Sequence, residues 1–269
     1  MKSKFIKPLQ EFIASKSDFS VLYHTSPEFI TPATQRICVL DSSFNPPHLG
    51  HYALVEESLK NTFGSVGQSN DNKIVLLLLS IKNADKAAPK PESLEHRLQM
   101  MYLMANDISK KWNISVSIGV TKHAKFVDKS VSCLNFIKPS STLKLTFLVG
   151  FDTLVRILNP KYYLPDKLST SLEQFMKSTD LFCLTRVDKD ITNDEQNNYL
   201  EEIRGGRHED IPSHWGENIF LVKNFGDDIA NISSSEIRLQ ISQGNDDWKS
   251  KVVPEIRDFI VNNDLYKST

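Results

Sequence analysis

Two histidines three residues apart, His48 and His51, follow a short polar loop that begins Asp41-Ser-Ser-Phe-Asn-Pro-Pro. With a helix starting at His48, both imidazoles share one face of its first turn and tilt toward its amino end. The amides of Ser42, Ser43 and Phe44 then join the positive end of that helix in a nest for anions. Asn45 can brace the loop, Pro46 and Pro47 stiffen it, and Gly50 leaves room for close approach. As hydrogen-bond donors the histidines can stabilise charge that grows on a phosphorus atom during displacement. A proline-rich turn with two incidental histidines, one of them capping the helix, fits the same residues. A metal pair fits less well, since two histidines supply too few ligands, and no metal ligand is assigned.

A second candidate lies at Asn231-Ile-Ser-Ser-Ser-Glu-Ile-Arg238. Ser233 can cap a helix here, with Glu236 completing a capping box. That alone describes a well-capped surface helix. The amides and hydroxyls of Ser234 and Ser235, with the Arg238 guanidinium, would also grip a polyphosphate. Between these segments, Lys82 and Lys86 stand beyond an apolar run and can reach phosphates or simply face solvent. Gly150-Phe-Asp152 follows another apolar run, and Asp152 is placed to cap a helix over residues 153–158.

These residues need elements to hold them, and the chain alternates strand and helix from residue 36 onward. Strands are expected at 36–40, 73–80, 114–120, 143–149, 180–185 and 218–222. Helices are expected at 48–59, 92–108, 128–137, 233–242 and 254–262. The run Ile-Val-Leu-Leu-Leu-Leu within 73–80 is too apolar for a strand with one wet face and fits a central parallel one. The alternation predicts an α/β fold with a doubly wound parallel sheet and right-handed crossovers, which binds ligands beyond the carboxyl ends of its strands. Residues 1–35 read as an amino-terminal helical extension, with Phe5, Ile6, Leu9, Phe12 and Ile13 at helical spacing. Residues 36–269 form the main domain, and 187–217, acidic and rich in amides, reads as a surface insertion.

At 269 residues, 40% hydrophobic and with a net charge of −1, the chain has material for a sizeable core and no global basicity for nucleic acid. Cys38, Cys133 and Cys183 are widely spaced in apolar runs, as core residues of a reduced compartment would be. No signal-peptide core or transmembrane-length span is readable, so the expected location is cytoplasmic, nuclear or both, without membrane partners.

Ser-Phe-Asn-Pro-Pro-His-Leu-Gly-His resembles the signature of the nicotinamide and nicotinate mononucleotide adenylyltransferases, within the nucleotidylyltransferase superfamily. Ile-Ser-Ser-Ser-Glu-Ile-Arg resembles the family's second signature, with Ser235 where threonine is usual. Over residue 36 to the end, the chain resembles the fungal promoter-of-filamentation proteins. The resemblance implies a Rossmann-like sheet and transfer of the adenylyl group of ATP to nicotinamide mononucleotide, giving NAD and pyrophosphate. Magnesium would accompany ATP. It implies contacts of His48 and His51 with the α-phosphate, of Arg238 and Ser233 to Ser235 with the outer phosphates, and of Lys82 or Lys86 with a phosphate. Asp152, after Gly150, would position the nucleosides, Arg186 would lie near the adenosine, and Phe126 would stack on the pyridine ring with Ser130 nearby. The glycine expected after Arg186 is absent. Asp41 puts a carboxylate beside the phosphate loop, which weakens anion binding or helps to hold magnesium. The alternative function is a nucleotide-binding, ATP-hydrolysing regulator with little transferase activity, acting through protein partners. Nicotinate mononucleotide is an alternative acceptor.

Overall fold

Strands whose residues are apolar on both faces must be covered on both faces, and three strands of this protein are buried at every position. In chain order the elements are α1 (Ile6–Ala14), β1 (Phe19–His24), β2 (Arg36–Asp41), α2 (Leu49–Lys60), β3 (Lys73–Ser80), α3 (Leu94–Trp112), β4 (Val116–Thr121), α4 (Phe126–Ile137), β5 (Lys144–Gly150), α5 (Phe151–Ile157), α6 (Leu168–Ser178), β6 (Thr179–Leu184), α7 (Asn193–Arg204), β7 (Ile219–Val222), α8 (Ser234–Ser242) and α9 (Pro254–Asn262). The computed structural model describes residues 4–64, 72–81, 92–138, 143–185, 192–223, 229 and 232–267. Lys82, Lys86 and Arg186 therefore lie outside the described residues.

The strands form one sheet in the order β1-β4-β3-β2-β5-β6-β7. All neighbours are parallel except β1 and β4. From β2 the chain winds outward through β3 and β4, then returns to lay β5, β6 and β7 on the other side. The direction reverses between β2 and β5, the crevice where doubly wound sheets take ligands. Alternate residues of β2 feed two cores. Cys38 and Leu40 face a cluster with Leu9, Leu59, Met101 and Ile256, while Ile37 and Val39 face one with Phe147, Leu172, Phe175 and Trp215.

The helices begin and end where local chemistry permits. Ser93 caps α3 by accepting the His96 N–H at 3.2 Å, and Asn113 ends it in the left-handed region at φ 51°. Pro254 opens α9, where its missing N–H costs nothing.

Two expectations are corrected. Residues 1–35 are not helical throughout, because Phe19–His24 joins the sheet as an antiparallel edge strand against β4. Its half-buried residues carry little alternation. Phe19, buried, meets β4 where Gly119 leaves space; a Cβ there would lie 3.2 Å from the Phe19 ring. The segment 187–217 is not a surface insertion over its described part. Leu200 and Ile203 of α7, with Ile211 and Trp215 beyond it, are buried in the second core. The low hydropathy of α7 arises mainly from its exposed face, while Leu200 and Ile203, three apart, turn to the core.

Trp215 is 1% exposed, and its indole N–H donates to Glu173 at 3.1 Å. Trp215→Ala is expected to lower the unfolding free energy by about 3–5 kcal/mol, measured by urea denaturation. A surface insertion would show a change near zero.

Candidate functional site

The loop between β2 and α2 is held by donors from three other parts of the chain. Arg97 of α3 donates to the Ser43 carbonyl at 3.4 Å, Arg238 of α8 to that of Asn45 at 2.8 Å, and the Ser234 hydroxyl to that of Pro46 at 2.9 Å. The Asn45 side-chain oxygen accepts both the Glu92 N–H at 3.1 Å and the Tyr266 hydroxyl at 2.9 Å. Asn45 thus braces the loop as expected, through partners far away in sequence. The Ser42 N–H continues the ladder to the Leu78 carbonyl at 3.2 Å, so it is not an anion donor as the sequence suggested. The amides of Ser43 and Phe44 take no partner among the described residues. Phe44 turns the chain at φ 46°, a strained conformation for a residue with a side chain. Its buried ring tilts against His51 at 5.3 Å between centroids.

His48 is the N-cap of α2, and the two histidines close a capping box usually made by other residues. His48 Nδ1 accepts the Gly50 N–H at 3.2 Å, and the His48 N–H donates to His51 Nδ1 at 3.1 Å. A ring nitrogen that accepts carries no proton, so each neutral ring bears its proton on Nε2. His51 Nε2 donates it to the Ser42 hydroxyl at 2.8 Å. The rings lie 3.9 Å apart between centroids. Burial lowers the His51 pKa to about 4, so His51 is a neutral donor near pH 7. Gly50 permits close approach, since a Cβ there would lie 3.0 Å from the His48 ring and press on it.

The second motif is fastened to the first. Ser233 caps α8 by accepting the Glu236 N–H at 3.1 Å. The expected capping box is only half formed, because the Glu236 carboxylate turns to Lys251 instead. Arg238 is 6% exposed, with its second terminal nitrogen 3.3 Å from the Ser235 hydroxyl. Its Nε is buried without a partner among the described residues, and burial lowers its pKa. The structure places Arg238 beneath the β2–α2 loop as its anchor, with Ser235 exposed above it.

A cavity of about 430 Å³ opens beside this loop, lined by Ser42 and Ser43, by Phe126 and Lys129 of α4, and by Arg156 and Tyr163 among others. Phe126 forms part of its wall, half-buried and edge-on to Phe147 at 5.3 Å. Ser130 turns away and donates to the Val127 carbonyl at 2.7 Å. Lys129, which the sequence reading passed over, lies in the cavity wall and reaches Asp41 at 2.5 Å. Burial pushes the Asp41 carboxyl up, and the Lys129 ammonium offsets part of that shift. Gly150, not Asp152, is the N-cap of α5, and Asp152 sits exposed in its first turn. Both stand at the end of β5, beside the crevice, without lining the cavity. Tyr266 was also missed. Lys129 had a signal, since it lies one helical turn beyond Phe126, but Tyr266 had none in its neighbourhood.

The profile of the cytidylyltransferase-like family matches residues 39–240. A Schizosaccharomyces pombe protein carrying the name "Putative nicotinamide mononucleotide adenylyltransferase" is 35% identical over 252 residues, covering 94% of this chain and 92% of that protein. The Plasmodium falciparum nicotinic acid mononucleotide adenylyltransferase, in solved complexes with APC and with NaAD, shares the fold with a TM-score of 0.55 at 16% identity, over 86% of this chain and 97% of that one. With its two signature segments joined across the crevice of a doubly wound sheet, the chain belongs to the cytidylyltransferase-like family of nucleotidyltransferases, in the branch of the pyridine mononucleotide adenylyltransferases.

Proposed function

We propose that the protein transfers the adenylyl group of ATP to the phosphate of nicotinamide mononucleotide, forming NAD and releasing pyrophosphate. The observation that carries this reading is the fastening of the α8 start to the histidine loop through Arg238 and Ser234. One rigid body then faces both phosphate groups, and the fungal relative's name supplies the pairing of substrates. The acceptor phosphate is already ionised at neutral pH, so the reaction needs no general base. Aligning two anions and offsetting their repulsion is the main requirement.

The amides of Ser43 and Phe44, the Nε2 proton of His48 and the Ser42 hydroxyl are the donors assigned to the α-phosphate. His51 acts there through Ser42, whose hydroxyl it orients. Ser233 to Ser235 at the start of α8 are assigned to the outer phosphates, and Arg238 supplies positive charge from below. Magnesium is assigned to the phosphates, whose charge it would spread. Asp41, the carboxylate at the head of the loop, is already paired with Lys129 and is a poor ligand for it.

A coupled assay of NAD formation from ATP and nicotinamide mononucleotide tests the reading, and absence of product with intact protein refutes it. His48→Ala is expected to lower kcat by roughly 10²–10³ with a smaller change in the KM for the mononucleotide. A variant that keeps wild-type turnover removes His48 from the reaction. The depressed pKa of His51 also has a stability consequence. Between pH 6.5, its unperturbed value, and about 4, the unfolded chain binds a proton that the folded protein refuses. Stability should therefore fall as pH drops through that window, by up to about 3 kcal/mol from this group. Urea denaturation from pH 7 to 4.5 should show a steeper loss in wild type than in His51→Gln.

A further inference from the structure

The cavity beside the phosphate loop contains an ion pair that adenylyl transfer does not itself require. Lys129 Nζ donates to Asp41 Oδ2 at 2.5 Å, and the two side chains are 2% and 10% exposed. Taking two charges out of water costs free energy that their attraction repays only in part. Such a pair is a weak source of stability and a better source of selectivity. Each partner keeps capacity to bind. Asp41 Oδ1 receives no hydrogen bond among the described residues, and the ammonium spends only part of its donor set on Oδ2.

An acceptor oxygen beside an N–H donor matches a primary carboxamide, whose NH2 can donate to Oδ1 while its carbonyl accepts from Nζ. The pair also adjoins the aromatic wall. Lys129 Nζ lies 5.1 Å from the centroid of the Phe126 ring, and Asp41, Phe126 and Lys129 all line the same cavity. A flat heteroaromatic ring laid against Phe126 brings a ring substituent to this pair. A carboxylate in that place would meet Asp41 with like charge and find Lys129 already neutralised.

Resting on the mononucleotide reading above, we infer that Asp41 and Lys129 determine acceptor specificity, selecting the neutral carboxamide of nicotinamide mononucleotide over the carboxylate of nicotinate mononucleotide. Titration calorimetry of the full chain with each mononucleotide reads this without requiring turnover. Wild type is expected to bind the nicotinamide form at least about tenfold more tightly. Asp41→Asn, which leaves the ammonium without its counter-ion, moves the affinity ratio toward the nicotinate form. The double variant Asp41→Leu with Lys129→Met replaces the pair by apolar side chains of similar size, a change that buried ion pairs tolerate, and brings the ratio near one. Equal affinities in wild type, or a folded double variant that keeps the wild-type preference, overturn the inference. Binding of neither mononucleotide overturns both this inference and the proposed reaction. The two otherwise separate cleanly. Equal product formation from both acceptors rejects the selectivity and leaves the transfer standing, while selective binding without product does the reverse.

Discussion

The site depends on how the carbonyl groups of one loop are committed. A loop that is to offer amides to an anion must first dispose of its carbonyl oxygens, which would repel the same anion. Here the carbonyls of Ser43, Asn45 and Pro46 are taken by Arg97, Arg238 and Ser234. Two of these donors are guanidinium groups with very little exposure. Their positive charge sits directly against the loop's carbonyl oxygens. A charge-assisted hydrogen bond is also stronger than a neutral one. The same contacts thus set the loop's shape and its electrostatic sign.

The sheet makes this arrangement possible. Reversal of winding between β2 and β5 opens a crevice in which the loop after β2 is not covered by its own crossover. α3 and α8 can then approach the loop from one side, while α4 and α5 frame the cavity on the other. The strained Phe44 backbone is tolerated because its ring is fully buried and packs against His51. Local strain is held by long-range packing, and the capping box of His48 and His51 locks the helix start to the same frame.

Much of the site was legible because its parts are local. Strand, polar loop and helix start are adjacent in sequence around His48, so spacing alone placed the two imidazoles together. Ser233 was likewise readable as a cap. β3 announced itself by an unbroken apolar run. What could not be read were partnerships between segments far apart. Nothing near Arg97 says that it will hold Ser43, and nothing near Lys129 says that it will meet Asp41. Glu236 followed the capping-box pattern but chose Lys251, a partner that the pattern does not include. The edge strand at 19–24 and the core role of Trp215 were hidden for a related reason. Half-buried strands and one-sided helices carry weak periodicity, and their burial is decided by the surface they land on.

Tyr266 donates to Asn45 across 221 residues of chain. A contact of that span must be closed against the entropy of nearly the whole polypeptide. The loop near the start of the domain therefore receives its last brace only once residue 266 has been synthesised and docked. During synthesis on the ribosome, the early strands can pair long before this loop is fully braced. The fully braced loop then arrives late, and the docking of Tyr266 serves as a check that the intervening sheet has been laid down in order.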